Sequence, residues 1–226
     1  MTKPLFLALH LYLLGSLCVA QAASLQGEVV DAAGAPLADA VVTLRGAAST
    51  GTPPGTAIMD QQDMRFVPGV LAVRTGTAVT FPNRDDIRHQ VYSFSPAKRF
   101  ELRLYQGTPS APVLFDRPGL VVLGCNIHDW MVGYIYVTDD PWFAVSDAQG
   151  KVSFDNLPAG DYQVTLWHSA LPDMRPQQGE ALKVDNAGRQ WRVALPVQAS
   201  AATEPPGAPP STFGDAFKKA VEHGSH

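Results

Sequence analysis

The chain has 226 residues and a formal charge of −4, long enough for one or two domains with their own cores. Its acidic balance excludes nucleic-acid binding, because no basic stripe is present to neutralise phosphates. With 19 Gly and 19 Pro and almost no long helix-period segment, the composition leans all-β.

Lys3 precedes an apolar run from Leu5 to Ala20, and Ala20-Gln21-Ala22 closes it as an A-x-A cleavage site. Residues 1–22 are therefore expected to be a secretory signal, cut near Ala22. The run is short for a membrane anchor, and Leu17 before Cys18 is too large for a lipoprotein signal. No other run is long enough to span a membrane.

From Leu25 to Leu44 two alternating runs flank Gly34-Ala35-Pro36, a β-hairpin signal. Gly46 to Gly55 has the composition of a linker. From Ile58 short strand-like runs recur with turn signals between them: Val70–Val73, Ala78–Phe81, Val91–Phe94, Phe100–Leu104, Val113–Phe115, Leu120–Leu123 and Gly133–Val137. That spacing predicts a β-sandwich. Downstream, Ser146-Asp147-Ala148-Gln149-Gly150 turns into Lys151–Phe154, and Leu157-Pro158-Ala159-Gly160 turns into Asp161–Trp167. Past Leu195 the chain becomes rich in Ala, Pro, Thr and Gly, a composition expected to be disordered. Phe213, Phe217 and Val221 line one face of a possible terminal helix, too short to hold alone.

The chemistry concentrates in Gly124-Cys125-Asn126-Ile127-His128-Asp129-Trp130-Met131-Val132-Gly133, where a thiol, an imidazole and a thioether fall within seven residues. Thiolate and thioether hold Cu(I), imidazole holds either oxidation state, and a Cys-His-His plane with a weak Met above it suits electron-transfer copper. Once Cys18 leaves with the signal, Cys125 is the lone thiol of an exported chain. A buried inert Cys, an intermolecular disulfide and a metal thiolate compete for it, and the flanking His128 and Met131 favour the metal. Zinc is chemically possible for Cys-His-His, but the thioether argues for copper. Of six histidines, His10 goes with the signal, His223 and His226 lie beyond the Pro-rich tract, and His168 ends a distant strand. His89 is left as the second imidazole, and a Greek-key sandwich would bring its end of the chain to Cys125.

Three segments resemble the cupredoxins, the blue copper family of plastocyanin, pseudoazurin and amicyanin: Met64-x-Phe66-x-Pro68 with Val73 and Gly76; Val79-x-Phe81-x-Asn83 with Asp85 and His89; and Cys125-x-x-His128-x-x-Met131-x-Gly133-x-Ile135-x-Val137. The resemblance implies one copper ion with Cys125, His89 and His128 in its strong plane and Met131 as the weak axial ligand. Asn83 and Asn126 are then candidates to bond the His89 loop to the Cys125 loop, although Asn83 also fits a strand cap. Trp130 is either packed beneath the loop or, with Asp129, at a docking surface. Arg84, Asp85, Asp86 and Arg88 read as a solvated charged rim, with steering of a partner protein as the alternative. Gly27-Glu28-Val29-Val30-Asp31, Gly34-Ala35-Pro36-Leu37, the Ser146–Gly150 turn and Leu157-Pro158-Ala159-Gly160-Asp161-Tyr162 resemble the carboxypeptidase regulatory-like family of small transthyretin-type sandwiches. As a whole the chain is similar to exported bacterial proteins described as methylamine utilisation proteins.

The expected architecture is thus all-β: a Greek-key cupredoxin sandwich over residues 51–140, inserted in a small transthyretin-like sandwich made of residues 23–50 and 141–197, with a tail over 198–226. The expected function is a periplasmic single-electron carrier and not an enzyme, working with a redox partner such as a dehydrogenase or a cytochrome. Copper delivery without redox cycling is the alternative. A surface or carbohydrate-binding module, hinted at only by His168 beside Trp167, is a third.

Overall fold

The structure, a computed structural model, describes residues 23–46, 53–109, 111–185, 187–198 and 213–222. The expected signal 1–22, part of the expected linker, most of the Ala/Pro-rich tract, and His223 and His226 lie outside the described residues. In chain order the strands are β1 (Ala23–Val30), β2 (Val41–Gly46), β3 (Thr56–Ile58), β4 (Asp60–Gln62), β5 (Arg65–Val67), β6 (Val70–Arg74), β7 (Thr77–Thr80), β8 (His89–Ser93) and β9 (Phe100–Tyr105). They continue as β10 (Val113–Phe115), β11 (Gly119–Cys125), β12 (His128–Thr138), β13 (Trp142–Val145), β14 (Lys151–Leu157), β15 (Gly160–Trp167), β16 (Gln177–Gln178), β17 (Leu182–Val184) and β18 (Arg189–Ala194), before helix α1 (Phe213–Glu222). The described residues are all-β apart from that helix, and no described helix is long and apolar enough to cross a membrane.

The alternation of apolar residues decides the layers, because successive side chains on a strand face opposite ways. One sheet runs β6-β12-β11-β8-β9 and another β10-β7-β3. Between them lies a core that includes Val79, Phe81, Val91, Phe115, Val121, Leu123, Ile135 and Val137. A second pair of sheets, β14-β1-β18 and β13-β2-β15-β16 with β17 on β15, closes over Leu25, Val29, Val42, Leu44, Phe154, Val164 and Leu166. The first two strands therefore share sheets with strands that follow β12. The layers meet where Tyr134 and Tyr136 on the outward face of β12 set their rings 5.6 and 5.8 Å from that of the fully buried Trp167.

One expectation is overturned. Leu25–Leu44 does not form a hairpin: β1 pairs with β14 and β18, whereas β2 pairs with β13 and β15. The local turn is real, since the Asp31 carboxylate accepts the amides of Ala33 and Ala35, and Leu37 N–H donates to Val29 C=O. Beyond it the chain leaves the first sheet. The Ala40 amide donates to Ser146 Oγ at 2.8 Å and Asp39 N–H to Ser146 C=O, which carries β2 across to the facing sheet. Alternation specifies a half-buried strand but not the partner it pairs with.

Candidate metal centre

Strand β11 points Val121, Leu123 and Cys125 into the core and Val122 and Gly124 outward. Cys125 is its last residue and pairs with His128 across the two-residue turn Asn126-Ile127. Residues opposed across such a turn project from the same face, so the Cys-x-x-His spacing becomes a pair of neighbouring donors. The register then shifts, Gly124 pairing with Val132, and the surplus residues Asp129, Trp130 and Met131 bulge from β12. Asp129 and Trp130 are exposed, whereas Met131 turns inward, 1% exposed, into the same core cluster as Cys125. The Gly124–Tyr92 pair lays β8 beside β11, and His89, Val91 and Ser93 form its buried face.

His89 Nδ1 and His128 Nδ1 each lie 3.7 Å from Cys125 Sγ and 3.2 Å from each other. His89 and Cys125 are fully buried and His128 is partly so. These separations suit one ion. Two nitrogens about 2.0 Å and one sulfur about 2.3 Å from a common centre, at angles of about 100–120°, stand apart by such amounts. A cysteine sulfur, two imidazoles and a buried thioether from the same core cluster form a donor set that favours copper over magnesium or calcium, which take oxygen. Burial holds the His128 pKa below its ordinary value, with His89 adding to the effect, and a neutral imidazole is the form that can ligate.

Behind His89 stands a group that sequence reasoning assigned wrongly. Asp85 belongs to no solvated rim: its side chain is 12% exposed, and its Oδ2 lies 2.7 Å from His89 Nε2. A proton on Nε2 donated to this carboxylate leaves the Nδ1 lone pair facing Cys125 and His128, the arrangement that orients a metal-binding imidazole. Asp85 is gripped in turn by the backbone amides of Asp63 at 2.7 Å and Met64 at 2.9 Å. Both residues have positive φ, 54° and 56°, in the turn between β4 and β5, where successive amides can converge on one anion. Burial pushes the Asp85 carboxyl up, but the amides of Met64 and Asp63 together with His89 outweigh it and hold the group below the ordinary carboxylate range. The available signal was a carboxylate four residues before a candidate ligand histidine. Arg84, also read as rim, pairs with Asp60 at 2.7 Å.

Asn83 is 5% exposed, and its bonds do not run to the Cys125 loop as expected. Its Nδ2 donates to the carbonyls of Ile87 and Tyr105 and its Oδ1 accepts the Asp85 amide, so it shapes the loop that presents Asp85 and His89. Asn126 is exposed at the turn, lining a shallow cleft with Tyr92 and Glu101, away from the role of bonding the two loops. Trp130 is 46% exposed with its ring 5.3 Å from that of His128, and Ile127 beside it is 50% exposed. His168 lies elsewhere, its Nε2 on Ala38 C=O and its Nδ1 accepting the Ala170 amide, a packed structural residue.

No family model matches the chain, and no curated protein matches it. Among solved structures it is similar over 42% of its length to a copper-containing nitrite reductase from Thermus scotoductus SA-01, at 24% identity and a TM-score of 0.35, covering 25% of that chain. It is similar over 37% of its length to a purple cupredoxin from Nitrosopumilus maritimus, at 22% identity and a TM-score of 0.32, covering 99% of that chain. An amicyanin variant matches at 19% identity and a TM-score of 0.34, over 44% of this chain and 99% of its own.

Proposed function

We propose that this chain is an exported copper protein that carries single electrons through a mononuclear site held by His89, Cys125 and His128, with Met131 as the weak fourth donor. The observation that carries the proposal is the convergence of three donor atoms, at 3.2 to 3.7 Å, from two separated stretches of chain. Bound copper would supply a one-electron couple between Cu(I) and Cu(II). The protein's part is to hold the donors so that little moves between the two states. Asp85 fixes the His89 ring, the β11–β12 turn fixes Cys125 against His128, and the core around Leu123 and Ile135 excludes water. Among the described residues that form the site, His128 alone is not fully buried, and it lies beside exposed Trp130 and Ile127, which supports outer-sphere transfer to a docked protein over turnover of a bound substrate.

The charged start and A-x-A end of the first 22 residues support export to the periplasm, where a dehydrogenase or a cytochrome would serve as partner. The resemblance to methylamine utilisation proteins points to the same compartment, and the regulatory-like sandwich is the scaffold into which the copper module is set. Adding Cu(II) to the purified chain should give an intense visible charge-transfer band that Cys125→Ser abolishes, with reversible voltammetry. A colourless protein would remove the proposal. Tight copper binding without reversible electrochemistry would make the chain a delivery protein instead.

A further inference from the structure

Helix α1 lies against the outward face of the strands that build the site, and its first residue reaches the ligand loop. Phe213 is 8% exposed and packs with Val122 and Tyr92, its ring centroid 4.7 Å from that of Tyr92. A Cβ added to Gly124, the residue before Cys125, would stand 2.5 Å from Phe213 Cδ2 and 2.6 Å from Cγ. The ring therefore rests on bare backbone, at the point where β11 slips register to form the metal loop. At the other end of the helix, Lys219 Nζ donates to Ser169 C=O at 3.2 Å, in the segment that follows β15. A ten-residue helix does not persist in water without tertiary contacts, so the contact constrains both sides.

We infer that Phe213 is a positioning residue for Cys125: by closing the space over Gly124 it fixes the backbone that delivers the thiolate, and it couples the docking of α1 to metal binding. Cys125 faces the inner core and Gly124 the ring, so the loop is clamped between two apolar layers. Such a shell controls water access to a metal and the strength of its ligand field. Coupling of this kind is reciprocal, so metal should tighten the helix as the helix tightens the metal.

The inference rests on the copper reading, and the test separates the two. In the full-length protein, Phe213→Ala should shift the charge-transfer band and the reduction potential and speed copper release to a chelator by about tenfold. Phe217→Ala is the control, since that ring stacks on Phe213 at 5.6 Å while the atoms nearest a Cβ at Gly124 all belong to Phe213; it should produce a smaller shift. In the metal-free protein, Gly124→Ala should displace the helix, seen as faster amide exchange across residues 213–222, and in the wild type copper should slow that exchange. If the wild type binds copper with the expected colour while Phe213→Ala leaves band, potential and release rate unchanged, the inference is wrong and the copper reading stands. Unchanged α1 exchange in Gly124→Ala would likewise overturn it. If the wild type takes up no copper, the copper reading falls first.

Discussion

Replacing Asp85 by Asn tests whether the carboxylate behind His89 holds the site together. Asn has nearly the same shape but offers one acceptor where the carboxylate offers two. With its oxygen kept at the Oδ2 position it still serves Met64 and His89, while its NH2 faces the Asp63 amide, which loses its partner. With the opposite rotamer two bonds are lost, and a donor facing His89 Nε2 drives the ring proton to Nδ1, where it blocks the metal lone pair. The first rotamer is therefore favoured. Its two remaining bonds fall from charge-assisted to neutral strength, about 1 kcal/mol each, and the orphaned amide costs little more because Asp63 is exposed and water can reach it. The metal-free protein should lose about 2 kcal/mol by urea unfolding. Copper affinity, measured by chelator competition, should fall 10- to 100-fold, or about 1.4–2.8 kcal/mol. Asp86→Asn, which removes the same charge from an exposed neighbour, should change neither quantity. Asp85→Asn indistinguishable from wild type in both assays would refute the assignment of Asp85 as the group that orients His89.

Two predictions address the scaffold. Burial holds the His168 pKa below its ordinary value despite the Ala38 carbonyl, which favours the charged form; protonation also breaks the bond from the Ala170 amide. Stability should accordingly be level above about pH 6.5 and fall as the pH drops from there toward the native pKa, because the unfolded chain takes up the proton first. His168→Gln should flatten that fall in urea titrations at pH 5 and pH 7, and an equally steep fall in the variant would discount the residue. Gly150→Ala should cost about 3 kcal/mol or more: φ is +71°, and the new Cβ would stand 2.3 Å from Val29 C=O and 3.1 Å from Leu37 N. An unfolding midpoint within error of wild type would contradict the backbone packing at that crossing.

The convergence of His89, Cys125 and His128 was legible because most of its signal is short-range. Cys125 and His128 flank a two-residue turn, Met131 follows on the inward side of β12, and elimination among six histidines pointed to His89. What supports them was hidden because it is non-local. Asp85 looked like one charge among four until the turn at Asp63-Met64, more than twenty residues earlier, supplied the amides that hold it. Asn83 gave no sign of whether its partners lay ahead or across the site. The run from Leu25 to Leu44 showed two strands with inward faces, yet their partners are fixed by contacts with Ser146 and β14, far along the chain. The terminal helix showed an apolar stripe, but nothing nearby in sequence marked Gly124 as its seat.

The placement of β1 and β2 has a consequence for how the protein is made. Gln26 meets Ser153 from 127 positions away, and Leu44 waits for Trp142, so the opening strands leave the ribosome long before their mates exist. Strands β3 to β12 find their sheet partners among themselves and can condense first, drawing residues 53 and 140 toward each other as they do so. Closing the outer sandwich then becomes a short-range event, and a lesion that loosens the insert should appear as slow maturation of the whole chain.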